Sequence, residues 1–422
     1  AVRGQRGILV SIRALTRVLD PHTGIPNRND SRRAFTMSSG ITGIGIELDG
    51  EIDVYQTNLM LNDMQMPRQP VRPITLTGPL HIAEVLPGGP AQLAGLRPGD
   101  VITQIDGSDL TETTTAHLLP RLSTLSPDGT ATKVTLTIRR MPKTNPIRVE
   151  LTPTHFHPET VFGVTRHIDN SWDYWLDRQA RIAYVRVGFI DTWYDPNTGQ
   201  ESGGTDVDLQ NALTELLASG MRGLVLDLRG CPGGFINPAV KLIGLFVKDA
   251  TVATVKSKSR KGQPETKYAT SPLDVPLVEG IPIVVLVNAE TIGGGEMIAA
   301  ALQDNKVAEI AGQQTFGKGS VQNTPVIPNT NVPYKITTGL IYRPNGKPLQ
   351  RFPGASPGEA WGVKPDRGLE IPLTSDFNKR LSEWMHLQVL RPGDVRERLP
   401  LDDPENDPAR QFALRKLRER VK

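Results

Sequence analysis

From about residue 180 onward, short apolar runs alternate with amphipathic stretches. Residues 182–190 form a strand-like run. Residues 206–217 (DVDLQNALTELL) carry apolar positions at helical spacing and stop at Gly220, and residues 223–228 (GLVLDL) read as a buried strand. A helix over 238–246, a strand over 282–287, a helix over 296–302 and a strand over 306–310 continue the alternation, which predicts an α/β core. Residues 41–155 behave differently. There Val134, Leu136 and Ile138, then Ile147, Val149 and Leu151, alternate with period two after the turn Pro127-Asp128-Gly129, so this region reads as mostly strand. The stretch 51–77, with Met60, Met64 and Met66, keeps neither period and reads as an insertion. At the start, residues 7–19 predict one short helix stopped by Asp20-Pro21; at the other end a last helix opens at Asp407-Pro408, a cap followed by proline at the first helical position. The expected division is an N-terminal helical segment (1–40), a mostly-β module (41–155), an α/β core (156–376) and a C-terminal helical segment (377–422).

Composition narrows this little. The 422 residues suit two or three domains, and no stretch approaches the roughly 20 apolar residues of a membrane helix. The formal net charge is only +3, with basic and acidic residues interspersed, which gives no support to a nucleic-acid surface. Cys231 is the only cysteine, so an internal disulfide and a thiolate metal cluster are excluded. Arg13 and Arg17 spoil the first helix as a signal peptide, and the sequence reads as starting at a fragment or mature form.

Residues 78–107 (GPLHIAEVLPGGPAQLAGLRPGDVITQIDG) hold a strand, a turn with a short helix, a tight glycine turn and a second strand. Because these spaced features match together, the segment closely resembles PDZ domains. The resemblance implies a peptide-binding module in which Gly43-Ile44-Gly45-Ile46 is the carboxylate-binding loop. Glycines there let consecutive backbone N–H groups line a concavity; taken alone they would as readily serve only a turn, and the surrounding string favours the binding loop. A helix over 113–122 would form the other wall, and a peptide would add as a strand between the two.

The core carries Asp227-Leu228-Arg229-Gly230-Cys231-Pro232-Gly233-Gly234, then Val287-Asn288 through Glu296, then Thr315-Phe316-Gly317-Lys318-Gly319-Ser320-Val321-Gln322, and more weakly Gly362-Val363-Lys364-Pro365-Asp366. Together with Leu19-Asp20-Pro21-His22, these motifs resemble the C-terminal processing, or tail-specific, peptidases over most of the chain. That resemblance implies a Clp-protease/crotonase-like ββα spiral and a serine endopeptidase with a Ser-Lys-Gln site. Lys318 would be the base, its pKa lowered by burial, and Gln322 its support; backbone N–H groups of Gly233, Gly234 and Gly294 would meet the oxyanion. Cys231 stands where the family usually has asparagine. The serine nucleophile is expected five residues after Asn288 and 25 before Lys318, and both counts end on Gly293. Glycine has no atom with which to form an acyl-enzyme. Thr291, Ser320 and Cys231 are the neighbouring hydroxyls and thiol that could substitute, with Thr291 expected to aim elsewhere from a strand-to-helix turn.

His155 and His157 form a His-x-His pair that could bind zinc, but without an obvious third ligand they read as interdomain residues, and no metal site is expected. Trp172, Trp175 and Trp193 read as packing residues, and the basic stretch 415–422 as a solvated helix face. The resemblance implies polypeptide C-termini as partners, no nucleic acid, no small-molecule cofactor, room for a homo-oligomer, and a place outside the cytoplasm, in the periplasm or cell envelope. Two rivals stand beside the peptidase: a pseudoprotease that binds tails without cutting, and an acyl-coenzyme A enzyme on the same core, which accounts for neither the PDZ-like string nor the lysine motif.

Overall fold

The computed structural model describes residues 20, 22–24, 40–49, 78–111, 114, 121–122, 132–195, 198–257, 265–271, 275–323, 325, 334–356, 358–390 and 400–421. The expected helix over 7–19, the insertion over 51–77 and, apart from Thr114, Arg121 and Leu122, the groove helix over 113–122 lie outside the described residues.

The first module is an antiparallel sheet built from β2 (Ile46–Leu48), β3 (Leu80–Val85), β4 (Val101–Ile105), β5 (Val134–Arg140) and β6 (Lys143–Leu151), in that spatial order. The period-two positions do what the pattern requires. Val134, Leu136, Ile138 and Leu151 point inward with Ile46, Ile82, Ile102 and Ile105 to form one apolar core. A four-residue helix, α1 (Pro90–Leu93), caps it. Two short strands, β1 (Ile41–Gly43) and β7 (Thr154–Phe156), pair antiparallel where the chain enters and leaves the module.

The core is an α/β sheet of β10 (Ile182–Val187), β13 (Gly223–Asp227), β16 (Ile283–Val287) and β17 (Glu309–Gly312), all parallel and adjacent in sequence order, with β8 (Val161–Phe162) and β9 (Trp175–Asp177) antiparallel on the β10 edge. Its central strands are mostly apolar because both faces are covered, with Arg186 in β10 and Asp227 in β13 as buried charged exceptions. Val185, Leu226 and Val285 face a core shared with α2 (Thr205–Ala218), α3 (Ile236–Gly244) and α4 (Gly294–Asp304). The alternate residues Tyr184, Val225 and Val284 face Ala409, Ala413 and Leu417 of α6 (Pro408–Arg420). A hairpin, β11 (Thr192–Tyr194) with β12 (Glu201–Gly204), leads into α2. An antiparallel sheet in the order β15 (Thr266–Ala269), β14 (Thr251–Ser257), β19 (Ile336–Tyr342), β18 (Ser320–Asn323) stands beside it, and α5 (Ser375–Gln388) follows.

The elements differ from the sequence expectation in instructive places. Helix α4 begins at Gly294, two residues before Glu296, since glycine's poor helix propensity hides a turn held by other means. Helix α3 begins at Ile236, so Pro238 falls in the first turn, where no intrahelical N–H is needed. Strand β17 starts at Glu309 rather than 306 because Lys306 takes a left-handed φ of 59° as the chain leaves α4.

Candidate active site

Loops leaving the C-terminal ends of β13 and β16 converge, which is where an open parallel sheet leaves its crevice. From β13, Leu228 is followed by Arg229 and the glycine loop 230–234. From β16, Asn288 leads to Gly293, the N-cap of α4, at φ 56° and ψ −111°. The two loops meet backbone to backbone. A Cβ at Gly233 would lie 2.8 Å from both the Gly294 nitrogen and the Ile292 oxygen, so no side chain fits there. At Gly234 a Cβ would collide with the Ile190 carbonyl. Asn288 ties the loops together by accepting the Gly230 N–H at 3.0 Å, and the Ile292 N–H donates to the Cys231 oxygen at 2.8 Å.

Peptide orientation at the glycines follows from these bonds. The Gly233 carbonyl accepts from the Ile190 N–H at 3.0 Å, so in the trans peptide the Gly234 N–H points the opposite way, the side on which α4 begins. The Gly233 N–H acts instead on the Cys231 sulfur. Burial pushes the Cys231 thiol up to about 11, which disqualifies it as a thiolate nucleophile at neutral pH. Thr291 is also disqualified. It is fully buried, its hydroxyl donates to the Leu228 carbonyl at 2.9 Å and accepts the Asn288 N–H at 3.0 Å.

Sequence reasoning used Glu296 only to mark a helix start, yet it joins the parts of the site. It is fully buried at the third position of α4. Its Oε2 accepts the Gly293 N–H at 3.0 Å and the Lys318 N–H at 2.8 Å, and its Oε1 accepts the Thr315 hydroxyl at 2.6 Å and the Gly317 N–H at 2.7 Å. Burial raises its pKa against these four donors. One carboxylate therefore fixes the distance between the backbone at 293 and the loop that bears Lys318. The signal available in the sequence was the spacing of an acidic residue three after the N-cap, half of a capping box.

On β18, the Gln322 side-chain nitrogen donates to the Ser320 hydroxyl at 2.6 Å and lies 3.5 Å from the Thr337 hydroxyl of β19. The Asp20 turn docks on the same strand. Asp20 accepts from the Thr337 hydroxyl at 3.0 Å and from the N–H groups of His22 and Thr23 at 2.9 Å, while Gly24 and Lys335 exchange backbone bonds of 2.9 and 2.7 Å. Burial, and after it the Lys318 charge, lowers the His22 imidazole below its ordinary 6.5, with Asp20 pulling it back up. The residues singled out on either side of the PDZ-like string thus gather on one hairpin.

In the first module, Gly43 and Gly45 have φ of 150° and 81°. The Ile44 N–H donates to the Leu122 carbonyl at 3.0 Å and the Ile44 carbonyl accepts from Ala91, so one amide of the proposed loop is already engaged. Phe156 of β7 lies against the open Cα positions of Gly45 and Gly89. Its neighbour His157 stacks on Trp193 of β11 at 4.9 Å, and His155 accepts or donates at Thr42 at 3.2 Å. No group of three or more metal-ligating side chains occurs among the described residues.

Compared with known proteins, residues 181–367 match Peptidase family S41 and residues 81–140 match the PDZ domain. The carboxyl-terminal-processing protease of Synechocystis sp. is 27% identical over 77% of this chain, and the carboxy-terminal-processing protease of Bartonella bacilliformis is 27% identical over 88%. The matched stretches span 65% and 72% of those two proteins. The solved photosystem II D1 C-terminal processing protease overlays at 24% identity with a TM-score of 0.43, covering 90% of this chain and 87% of that one.

Proposed function

We propose, from the premise that this chain belongs to Peptidase family S41 and carries a PDZ domain, that the site around Gly293 is that of an endopeptidase acting on polypeptide C-termini, assembled except for its nucleophile. The observation that carries the reading is Glu296, which holds the backbone of position 293 and the Lys318 loop on one carboxylate while the glycine loop 230–234 packs against the start of α4. In this reading a serine at 293 would attack the scissile carbonyl, Lys318 would take its proton, and Gln322 on β18 would orient the lysine. The N–H groups of Gly234 and Gly294 would meet the oxyanion, with Gly233 shaping the turn. The Gly43-Ile44-Gly45-Ile46 loop would receive the substrate carboxylate, and the family's setting outside the cytoplasm would hold for this chain. Among the described residues no helix is long and apolar enough to cross a membrane.

Space at 293 supports the assignment. A Cβ there would meet only the Gly233 Cα and the Pro232 oxygen, both at 3.9 Å, an ordinary contact. The cost of serine is conformational, about 1–3 kcal/mol for a side chain at positive φ. The test is cleavage of an unstructured protein with free or amidated C-terminus by this chain, by Gly293→Ser and by Gly293→Ser with Lys318→Ala. Cutting by the serine form alone, abolished by Lys318→Ala and weakened by amidation, is the expected outcome; cutting by the glycine chain would move the nucleophile elsewhere and overturn the assignment. A second reading rests on Gly293 itself: the chain binds polypeptide tails and does not cut them. It stands if neither form cuts while a free-carboxylate peptide still binds.

A further inference from the structure

Helix α6 lies beyond the residues matched to the peptidase family, on the face of the sheet opposite α2–α4. Its N-cap, Asp407, does more than start a helix. Both of its oxygens accept a fork from Arg229, Nη1 to Oδ1 at 3.0 Å and Nη2 to Oδ2 at 2.7 Å, across 178 residues of sequence. Oδ1 also takes the N–H groups of Ala409 and Arg410, and Oδ2 takes Arg410 Nε at 2.8 Å. Arg229 spends its remaining contacts on Asp227, which in turn accepts the Tyr184 hydroxyl at 2.8 Å. Asp227, Arg229, Asp407 and Arg410 are all fully buried. Arg229 is the residue immediately before the glycine loop, whose amides at Gly230 and Cys231 are bonded to Asn288 and Leu228, with Phe235 just beyond it bonded to Ile190.

We infer that Asp407 is a positioning residue for the proposed oxyanion loop, acting through Arg229 from the far side of the sheet. A bidentate pair between two buried groups fixes direction as well as distance. With Arg229 clamped, the chain leaving β13 has one path into Gly230, and the Gly234 N–H keeps its aim. Removing Asp407 leaves Arg410 without its carboxylate and Arg229 with Asp227 alone, so the guanidinium of Arg229 loses half of its fork and the loop that follows it loses its second anchor. This inference rests on the peptidase reading for its catalytic meaning but not for its structural content.

The experiment uses Asp407→Asn and Asp407→Ser in the full chain, with Gly293 and, separately, with Gly293→Ser. Asparagine and serine cap helices about as well as aspartate, so neither simply unties α6. In the Gly293 chain, hydrogen exchange across 228–236 should accelerate at least ~10-fold in both variants while α6 and the strands of the sheet keep their protection. In the Gly293→Ser chain, kcat should fall ~100-fold with KM within about threefold, the size of losing an oxyanion donor. If either variant keeps parental exchange over 228–236, or keeps parental kcat in the Gly293→Ser chain, Asp407 is only a helix cap and the inference fails. If Gly293→Ser does not cut at all but the exchange still rises, the peptidase reading falls and the brace stands. Should both variants fail to fold, Arg410→Gln removes one anchor of Asp407 while sparing the Arg229 fork; a smaller rise in loop exchange supports the brace, and none overturns it.

Discussion

Asp191 sits one residue past Ile190, whose backbone seats the glycine loop, and it is fully buried. Its Oδ1 accepts the Thr192 N–H at 2.9 Å, whereas Oδ2 has no partner among the described residues. Burial pushes this carboxyl from the ordinary 3.8 to about 7. A group raised in the folded state adds stability in full below its unfolded pKa and loses it as pH rises through the folded value, so the loss here runs between about pH 4 and pH 7. The scale is about 4 kcal/mol for a shift of this size. Asp191→Asn should therefore flatten the fall in stability between pH 4 and pH 8 seen in urea unfolding; an unchanged pH profile would mean the carboxyl ionises freely in the fold. Nothing in the sequence marked this residue, because its pKa depends on the absence of donors around one oxygen. The proposed nucleophile position, 293, is by contrast reachable by counting from Asn288 and Lys318. Its positive φ and its place at a helix N-cap are not, since both depend on how two loops approach.

At the scale of elements, α4 and the loop 315–318 are joined by one side chain. Glutamine at 296 would keep one acceptor oxygen and turn an NH2 toward N–H groups, leaving at least one buried donor unsatisfied at about 1–3 kcal/mol. Glu296→Gln should lower the melting temperature by several degrees and, with Gly293→Ser, reduce cleavage at least ~100-fold. Full activity in that variant would show that the four bonds to Glu296 do not set the site. The strands and helices of the core were legible because burial on both faces writes continuous apolar strands, and one-sided burial writes helical stripes. The start of α4 was not legible: Gly294 and Gly295 look like a loop, and what makes them helical is a carboxylate reaching back to the N-cap together with a backbone approach that only glycine permits.

At the scale of the whole molecule, side chains of the PDZ domain reach the core among the described residues. Gln92 of α1 is fully buried, and its side-chain nitrogen donates to the Val389 carbonyl at 3.0 Å and to Asn170 Oδ1 at 3.2 Å. Glu84 stands 3.7 Å from His386 of α5, a pair charged only when the histidine is protonated. Gln92→Ala should accelerate hydrogen exchange around Asn170 and Leu390 while both domain cores stay protected; equal exchange would place the attachment elsewhere. Such contacts were beyond sequence reading because a glutamine in a short helix carries no mark of its distant partner. The same holds for Arg229, which reads as part of a glycine motif and whose clamp is Asp407.

Long-range closure of this kind also orders events in time. The glycine loop, Gly293 and Lys318 are all made before Asp407, so a nascent chain still short of residue 407 has the sheet and the motifs but no acceptor for the second half of the Arg229 fork. Contacts of such sequence separation form late. On the proposed reading, the glycine loop would therefore stay slack in a chain short of residue 407 and tighten only when α6 docks and Asp407 meets the Arg229 fork.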